Sequence, residues 1–360
     1  LYERIKFIMA YTTINKSTDY FNTKLYTGNG STQSITGVGF QPDWLWIKNR
    51  SGTNDHILQD VVRGATKSLE SNGTSAETTS STRVTSFDSD GFSVGSAGTN
   101  NTNSSNYVSW NWKAGGTGVA NTDGDINSTV SASTAAGFSI VKWTGNGSNS
   151  DQEVGTGLSE ELKFIIAKPL ESGGSTSAWL IYVKGVTEAQ NNCFLFTADP
   201  VITSATSGTP NKGTTAGRLL LKAGSSSNAN LNTNALNYIA YCFAEKKGYS
   251  KFGTYTGNGN SDGPFIHLGF KPAFIMVKSA TSTTEWHMSD IGRKPTNPNN
   301  SYVSASSNAA ENTGAPTDFI SNGVKIKTSN NGWNQNAQRF IYMAFGQSVV
   351  GTNDIPATAR

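Results

Sequence analysis

Three histidines, His56, His267 and His287, are the side chains best suited to proton transfer near neutral pH. None stands in a His-x-Glu, His-Glu-x-x-His or Cys-x-x-Cys spacing that would gather a metal, and no Gly-x-Ser-x-Gly turn presents a nucleophile. Paired carboxylates are the other route to chemistry, since two acids across a sugar bond suffice for glycoside hydrolysis. Asp60 and Asp290 occupy matching places, each three residues before an arginine (Arg63, Arg293), but the middle of the chain has Tyr182 or Val183 there. A carboxylate capping a strand end beside its arginine accounts for both copies. Asp88-Ser-Asp90-Gly91 and Asp123-Gly-Asp125 group oxygens as calcium ligands would. A later copy of the first reads Ile320-Ser-Asn322-Gly323, which keeps the turn residue and drops the charge. No catalytic residue, metal or cofactor is therefore expected, and the chain reads as a non-enzyme.

The elements that carry these residues recur. Tyr26-Thr-Gly-Asn-Gly30 returns as Trp143-Thr-Gly-Asn-Gly147 and as Tyr255-Thr-Gly-Asn-Gly259, with 117 residues from Gly28 to Gly145 and 112 from Gly145 to Gly257. The pentapeptide reads as a strand ending in a short hairpin turn, because Gly-Asn-Gly tolerates positive φ. No Lys and no helix follow it to complete a phosphate cradle.

Behind each pentapeptide the same order of apolar runs appears. Trp44-Leu-Trp-Ile-Lys48 corresponds to Phe164-Ile-Ile-Ala-Lys168 and Phe274-Ile-Met-Val-Lys278, runs apolar on both faces of a strand. Each copy closes on Tyr107-Val-Ser-Trp-Asn-Trp112, Tyr238-Ile-Ala-Tyr-Cys-Phe243 or Phe340-Ile-Tyr-Met-Ala-Phe345. Alternation puts Trp110, Tyr241 and Met343, then Trp112, Phe243 and Phe345, on one large apolar face. With Trp44, Phe164 and Phe274 they form the expected core, worth about 1.5–3 kcal/mol per buried side chain.

Charged residues make up 15% of the 360, Gly accounts for 38, and helical periodicity never exceeds a turn or two. The expected class is all-β: three tandem antiparallel β-sandwich repeats of about 110 residues, jelly-roll or lectin-like, arranged like beads. The boundaries fall at an N-terminal extension 1–10 and at repeats 11–118, 119–246 and 247–360. Residues 1–8 read as an upstream extension, with Met9 as a natural start. A closed structure with threefold pseudosymmetry is the second arrangement, since each closing strand leads directly into the next opening strand. A net charge of +3 without a basic cluster argues against nucleic acid, and no apolar run is long enough for a membrane helix. Cys193 and Cys242 sit in apolar strands as small buried hydrophobes, and a bond between them is left open.

One copy carries a resemblance. Tyr26-Thr-Gly-Asn-Gly30, Gly39-Phe-Gln-Pro-Asp-Trp-Leu-Trp-Ile-Lys48, Arg63-Gly-Ala-Thr-Lys67, Ser86-Phe-Asp-Ser-Asp-Gly-Phe92 and Tyr107-Val-Ser-Trp-Asn-Trp-Lys113 resemble repeats of virion proteins of tailed, especially marine, bacteriophages. The likeness is weaker in the other two copies. It implies a tail-fibre-like or lectin-like structural protein on the particle exterior, non-enzymatic, with other virion proteins and a host-surface glycan as partners. Head fibre and capsid decoration are alternatives, and a polysaccharide-cleaving depolymerase is the rival of another class. Weak multivalent attachment suits a homo-oligomer, a trimer in fibres. Ligand contacts are then expected at Asn29, Asp55, His56, Arg63, Asp262, Trp286 and His287.

Overall fold

The computed structural model describes residues 14, 16–171, 178–187, 192–201, 210–213, 216–221 and 231–347; the expected extension 1–10 lies outside them. The described chain is all-β and its named strand pairs are antiparallel. Its helices are two single turns, Gly98–Asn101 and Asn331–Asn334, and a 3-10 turn at Ser17–Asp19.

Each of the three large sheets contains one recurring set of four strands. In the first, the opening strand Phe21–Thr27 pairs with the closing strand Asn106–Trp112, which pairs with Trp44–Asn49, which pairs with Ile57–Asp60. The second sheet repeats this with Phe138–Thr144, Asn237–Ala244, Leu162–Pro169 and Leu180–Val183. The third does so with Ser250–Thr256, Arg339–Gly346, Pro272–Ser279 and His287–Asp290. Register is kept as well as order: Trp44 lies opposite Trp112, Phe164 opposite Phe243, and Phe274 opposite Phe345.

The apolar runs are two-sided because each large sheet is covered on both faces. Leu45 and Ile47 pack with Ile35, Phe92 and Val94 of a small outer sheet, and Ile165 and Ala167 pack with Val154, Leu219 and Leu221. Ile275 and Val277 likewise pack with Ile266, Val324 and Ile326. These are the sandwich cores. The opposite parity of all three sheets (Trp44, Trp46, Phe164, Ile166, Phe274, Met276 and the closing-strand residues) enters one central cluster. Trp44 stacks on Tyr241 at 4.1 Å, Trp112 meets Phe345 at 5.7 Å, and Phe243 meets Phe345 at 5.9 Å.

All nine expected core residues, Trp44, Trp110, Trp112, Phe164, Tyr241, Phe243, Phe274, Met343 and Phe345, are buried. The independence expected of the units is not what the packing shows. Each unit has a sandwich core of its own, but the large aromatic face forms a core common to all three, which is the closed arrangement. The short hairpin expected at the pentapeptide is also corrected. After Thr27 the chain leaves the large sheet, and Gln33–Thr36 pairs with Gly91–Val94 in the outer layer. The turn carries the chain between layers of a sandwich.

The shared cluster fixes how the protein should unfold. Replacing Trp112 by Ala should cost about 3–5 kcal/mol, as for a large aromatic removed from a packed core. Since Trp112 touches Phe274 and Phe345 of the last unit, calorimetry should show a single transition moved to lower temperature. Early melting of residues 11–118 alone would refute the common core.

Candidate functional site

The repeated pentapeptide is one half of a clamp whose other half was not evident from sequence. Asn29 N donates to Asn101 Oδ1 at 2.9 Å, while Asn101 Nδ2 donates to Asn29 Oδ1 at 3.1 Å. Asn146 and Asn232 make the same reciprocal pair at 2.9 and 2.9 Å, and Asn258 and Asn334 make it at 2.7 and 2.9 Å. The aromatic that opens each pentapeptide also donates across: Tyr26 to Asn100 O, Trp143 to Leu231 O and Tyr255 to Trp333 O. Gly28, Gly145 and Gly257 are required because a Cβ there would lie 2.2 Å from a carbonyl oxygen of Thr102, Thr233 or Gln335. Gly30, Gly147 and Gly259 then turn the chain at φ of 71°, 67° and 66°. The partner asparagines do have a sequence signal. Each stands five residues before its closing strand begins (106 − 101, 237 − 232, 339 − 334).

A second set of repeated groups lies at the seams between units. Asp60 accepts from the N–H groups of Val62 and Arg63 and from Arg63 Nε at 2.5 Å, so it caps a strand end beside its arginine. It also accepts from Tyr241 of the second unit at 2.8 Å. Asp290 accepts from Arg293 N and Arg293 Nε in the same way, and Trp110 Nε1 of the first unit donates to it at 3.1 Å. In the middle unit the equivalent positions are Val183 and Val186, and the equivalent of Tyr241 and Trp110 is Met343. Where the acceptor is missing, the donor is missing too.

Lys48, Lys168 and Lys278 form a third set, completely buried at the end of the second strand. Lys48 donates to Asn308 O of the third unit at 3.0 Å, and Lys278 to Ala198 O of the second at 3.1 Å. Lys168 faces Glu70 of the first unit and lies 5.6 Å from the Trp179 ring. Burial pushes each down to about 8, partly offset by nearby acids: Asp55 for Lys48, Glu70 for Lys168, and Glu285 and Asp199 for Lys278. Their recurrence in all three runs was visible in the sequence; their role across the seams was not.

The expected ligand residues do not converge. His56 is buried; its Nδ1 accepts from Trp46 Nε1 at 2.8 Å, and Ser304 and Ser307 of the third unit face the ring. His287 is stacked on Trp333 and bonded to Ser304 Oγ at 3.1 Å. Trp286 donates to Leu195 O at 2.8 Å, as Trp179 does to Glu70 O. Arg63 is spent on Asp60, Glu77, Leu58 O and Tyr241. These four are interior residues, and the ligand-contact role expected of them is corrected. Of the others, Asn29 is exposed but engaged in its clamp, and Asp55 accepts from Asn72 Nδ2 at 2.7 Å. Asp262 is at the surface, paired with Lys325 at 2.6 Å.

The acidic turns are likewise occupied by the protein itself. Asp90 accepts from Gly37 N and Gly39 N, which hold its carboxyl below the usual range, and Asp88 accepts from Ser93. Asp123 pairs with Arg218, and Asp125 accepts from Glu153 N. Among the described residues no three His, Cys, Asp or Glu side chains gather as a metal site would require. Cys193 and Cys242 are free thiols buried in the second unit's core, so the bond left open from sequence is not formed. No described helix is long and apolar enough to cross a membrane.

Two outcomes follow from this geometry. Asn101 accepts through Oδ1 and donates through Nδ2 to Asn29 Oδ1, Ser31 O and Gly95 O. Asn101→Asp should therefore destabilise by about 2–4 kcal/mol in urea titration, whereas Asn29→Asp keeps the two acceptor contacts and should cost under about 1 kcal/mol. Burial, and secondarily the Lys48 and Lys278 charges, hold His56 well below its ordinary value and His287 down to about 4. The unfolded chain then binds protons that the folded chain does not between about pH 6.5 and 4. The histidine-linked part of the stability is thus complete above pH 6.5 and declines as pH falls through that window, His287 accounting for a loss on the order of 3 kcal/mol. Melting temperature should fall between pH 7 and 4.5, and less steeply in His287→Phe.

No curated protein and no solved structure matches the chain. One family model does, a domain of unknown function (DUF7483), and it covers residues 16–348 as one continuous unit. That span includes all three sheets and the central cluster, and the chain belongs to the DUF7483 family.

Proposed function

We propose that the chain is a non-enzymatic surface protein of a tailed-bacteriophage virion, tail-fibre-like, which attaches the particle to its host through weak glycan contacts. The observation that carries this reading is the use made of the repeated polar groups. The Asn pairs, the buried lysines and the Asp–Arg pairs are all consumed in joining layers or units, so what recurs is a scaffold. The first unit's motifs add the resemblance to virion repeats. The exposed surface is largely polar, with Val119 and Phe265 as its exposed large hydrophobics among the described residues, which suits a particle exterior.

A capsid-decoration role is favoured by one specific feature, the closure of three like sheets around a common core. Such a chain offers three similar faces to a partner with a threefold axis. It also supplies multivalency within one chain, though assembly into a trimer would extend it. Electron microscopy of particles labelled with an antibody to this chain separates the readings. Label on tail fibres is the expected result, and label on the head lattice would replace attachment by decoration. Steady release of reducing ends from host envelope glycan by the purified chain would overturn the non-enzymatic reading altogether.

A further inference from the structure

The three units act as internal controls on one another. A feature that all three share is needed by the fold, whereas a polar feature confined to one, with no partner inside the protein, is not. The basic lining of a cleft in the third unit meets the second description. It has a volume of about 290 Å³ and is lined by Lys271, Ile291, Lys294, Pro295, Thr296, Asn297 and Phe319.

Strand register identifies the corresponding residues elsewhere. Lys271 precedes Pro272 in Gly269-Phe-Lys-Pro272, as Gln41 precedes Pro42 in Gly39-Phe-Gln-Pro42, and Glu161 holds that place before Leu162. Lys294 lies four residues after Asp290; Gly64 and Thr187 lie four after Asp60 and Val183. The first unit is thus neutral here. In the second, Glu161 is neutralised by Lys184 at 2.8 Å and by Lys163. In the third, two lysines line the cleft without an acid among the lining residues, and neither ammonium has a hydrogen-bond or ion-pair partner among the described residues. The fold requires no charge here, yet one copy supplies two of the same sign.

The rest of the cleft suits a sugar ring. Ile291 and Pro295 give an apolar wall over the buried Phe319, and Thr296 offers an exposed hydroxyl. Asn297 is fixed by Nδ2 to Phe319 O at 3.1 Å and by Oδ1 to Phe319 N at 2.9 Å, so the wall is set before a ligand arrives. The volume falls at the low end of ligand sites, about 300–1,000 Å³, and takes one ring with its substituents. Two point cations select an anionic substituent without dictating its geometry, so carboxylate and phosphate are both admitted.

We propose that this cleft binds an acidic saccharide, a uronate or a sugar phosphate, with Lys271 and Lys294 holding the anionic group and Ile291 and Pro295 against the ring. The inference rests on the attachment reading and specifies its ligand class. The test is titration calorimetry of the full chain with trigalacturonate, glucose 6-phosphate, maltotriose and inorganic phosphate. At least one acidic saccharide should bind, and its affinity should fall as salt is raised. Lys271→Gln/Lys294→Gln should weaken it by about tenfold or more at an unchanged melting temperature. Failure of both acidic saccharides to bind, or binding that survives the double substitution, would overturn the proposal. Binding of inorganic phosphate as tight as glucose 6-phosphate, with no uronate binding, would also overturn it by reducing the cleft to a plain anion site. Equal binding of maltotriose by wild type and variant would remove the acidic ligand and leave glycan attachment standing. Attachment itself fails separately, by head-lattice label on the particle.

Discussion

Everything in this fold depends on a sheet that must be apolar on both faces. In an isolated sandwich, the outer face of each sheet meets water and its strands alternate apolar and polar. Here the second strand of each unit has a sandwich partner on one side and the common core on the other. Trp44-Leu-Trp-Ile47, Phe164-Ile-Ile-Ala167 and Phe274-Ile-Met-Val277 are therefore apolar at every position. The charge that ends each run, Lys48, Lys168 or Lys278, is buried with it and turns to the neighbouring unit. A lysine at that place costs desolvation; Asn49 O and Gly52 O of its own unit offset part of it for Lys48, and the carbonyls of Asn308 and Ala198 add to this for Lys48 and Lys278 when the adjacent unit is in place.

The seams follow a rule of matched polarity. Asp60 meets Tyr241 and Asp290 meets Trp110, whereas Val183 and Met343, the third pair by register, are apolar together in the central cluster. A buried tyrosine hydroxyl or indole N–H facing Val would lose its carboxylate acceptor, at a cost of about 1–3 kcal/mol. The Asp–Arg pairs behind these two seams are not by themselves a source of stability, since buried ion pairs roughly break even against apolar packing. What they supply is directionality: a unit joins its neighbour in one orientation, because only there do donor and acceptor coincide.

The sequence made the strands, their order and the apolar parity of the closing strand legible, because alternation and threefold recurrence are local signals. Trp112, Phe243 and Phe345 illustrate the limit. Their parity shows that they are buried, but a strand carries no record of whether its apolar face meets its own unit or two others. The same limit explains the ligand residues. His56, Arg63, Trp286 and His287 look like ligand chemistry because polar side chains beside an aromatic ring are what a glycan site would use, and their real partners (Trp46, Asp60, Leu195, Trp333) include groups from other strands and, for Trp286, from another unit. Asn101, Asn232 and Asn334 were harder still. In a chain this rich in Asn, only their constant distance from the closing strand distinguishes them.

Recurrence therefore has opposite meanings for structure and for function in this chain. Groups present in all three units, such as the Asn clamps and buried lysines, are bound by the geometry of closure and are not free to evolve toward a ligand. Surface groups that differ between units at one register position, and have no partner inside the protein, answer to something other than the fold. Gln41, Glu161 and Lys271 occupy equivalent places in the backbone register, yet they are neutral, acidic and basic. The Glu161 copy is internally neutralised by lysines, which is how a surface is kept inert. The Lys271 copy is left open beside Lys294. In a protein whose repeated charges are turned inward to hold three units together, Lys271 and Lys294 instead line a surface cleft with no acid among its lining residues.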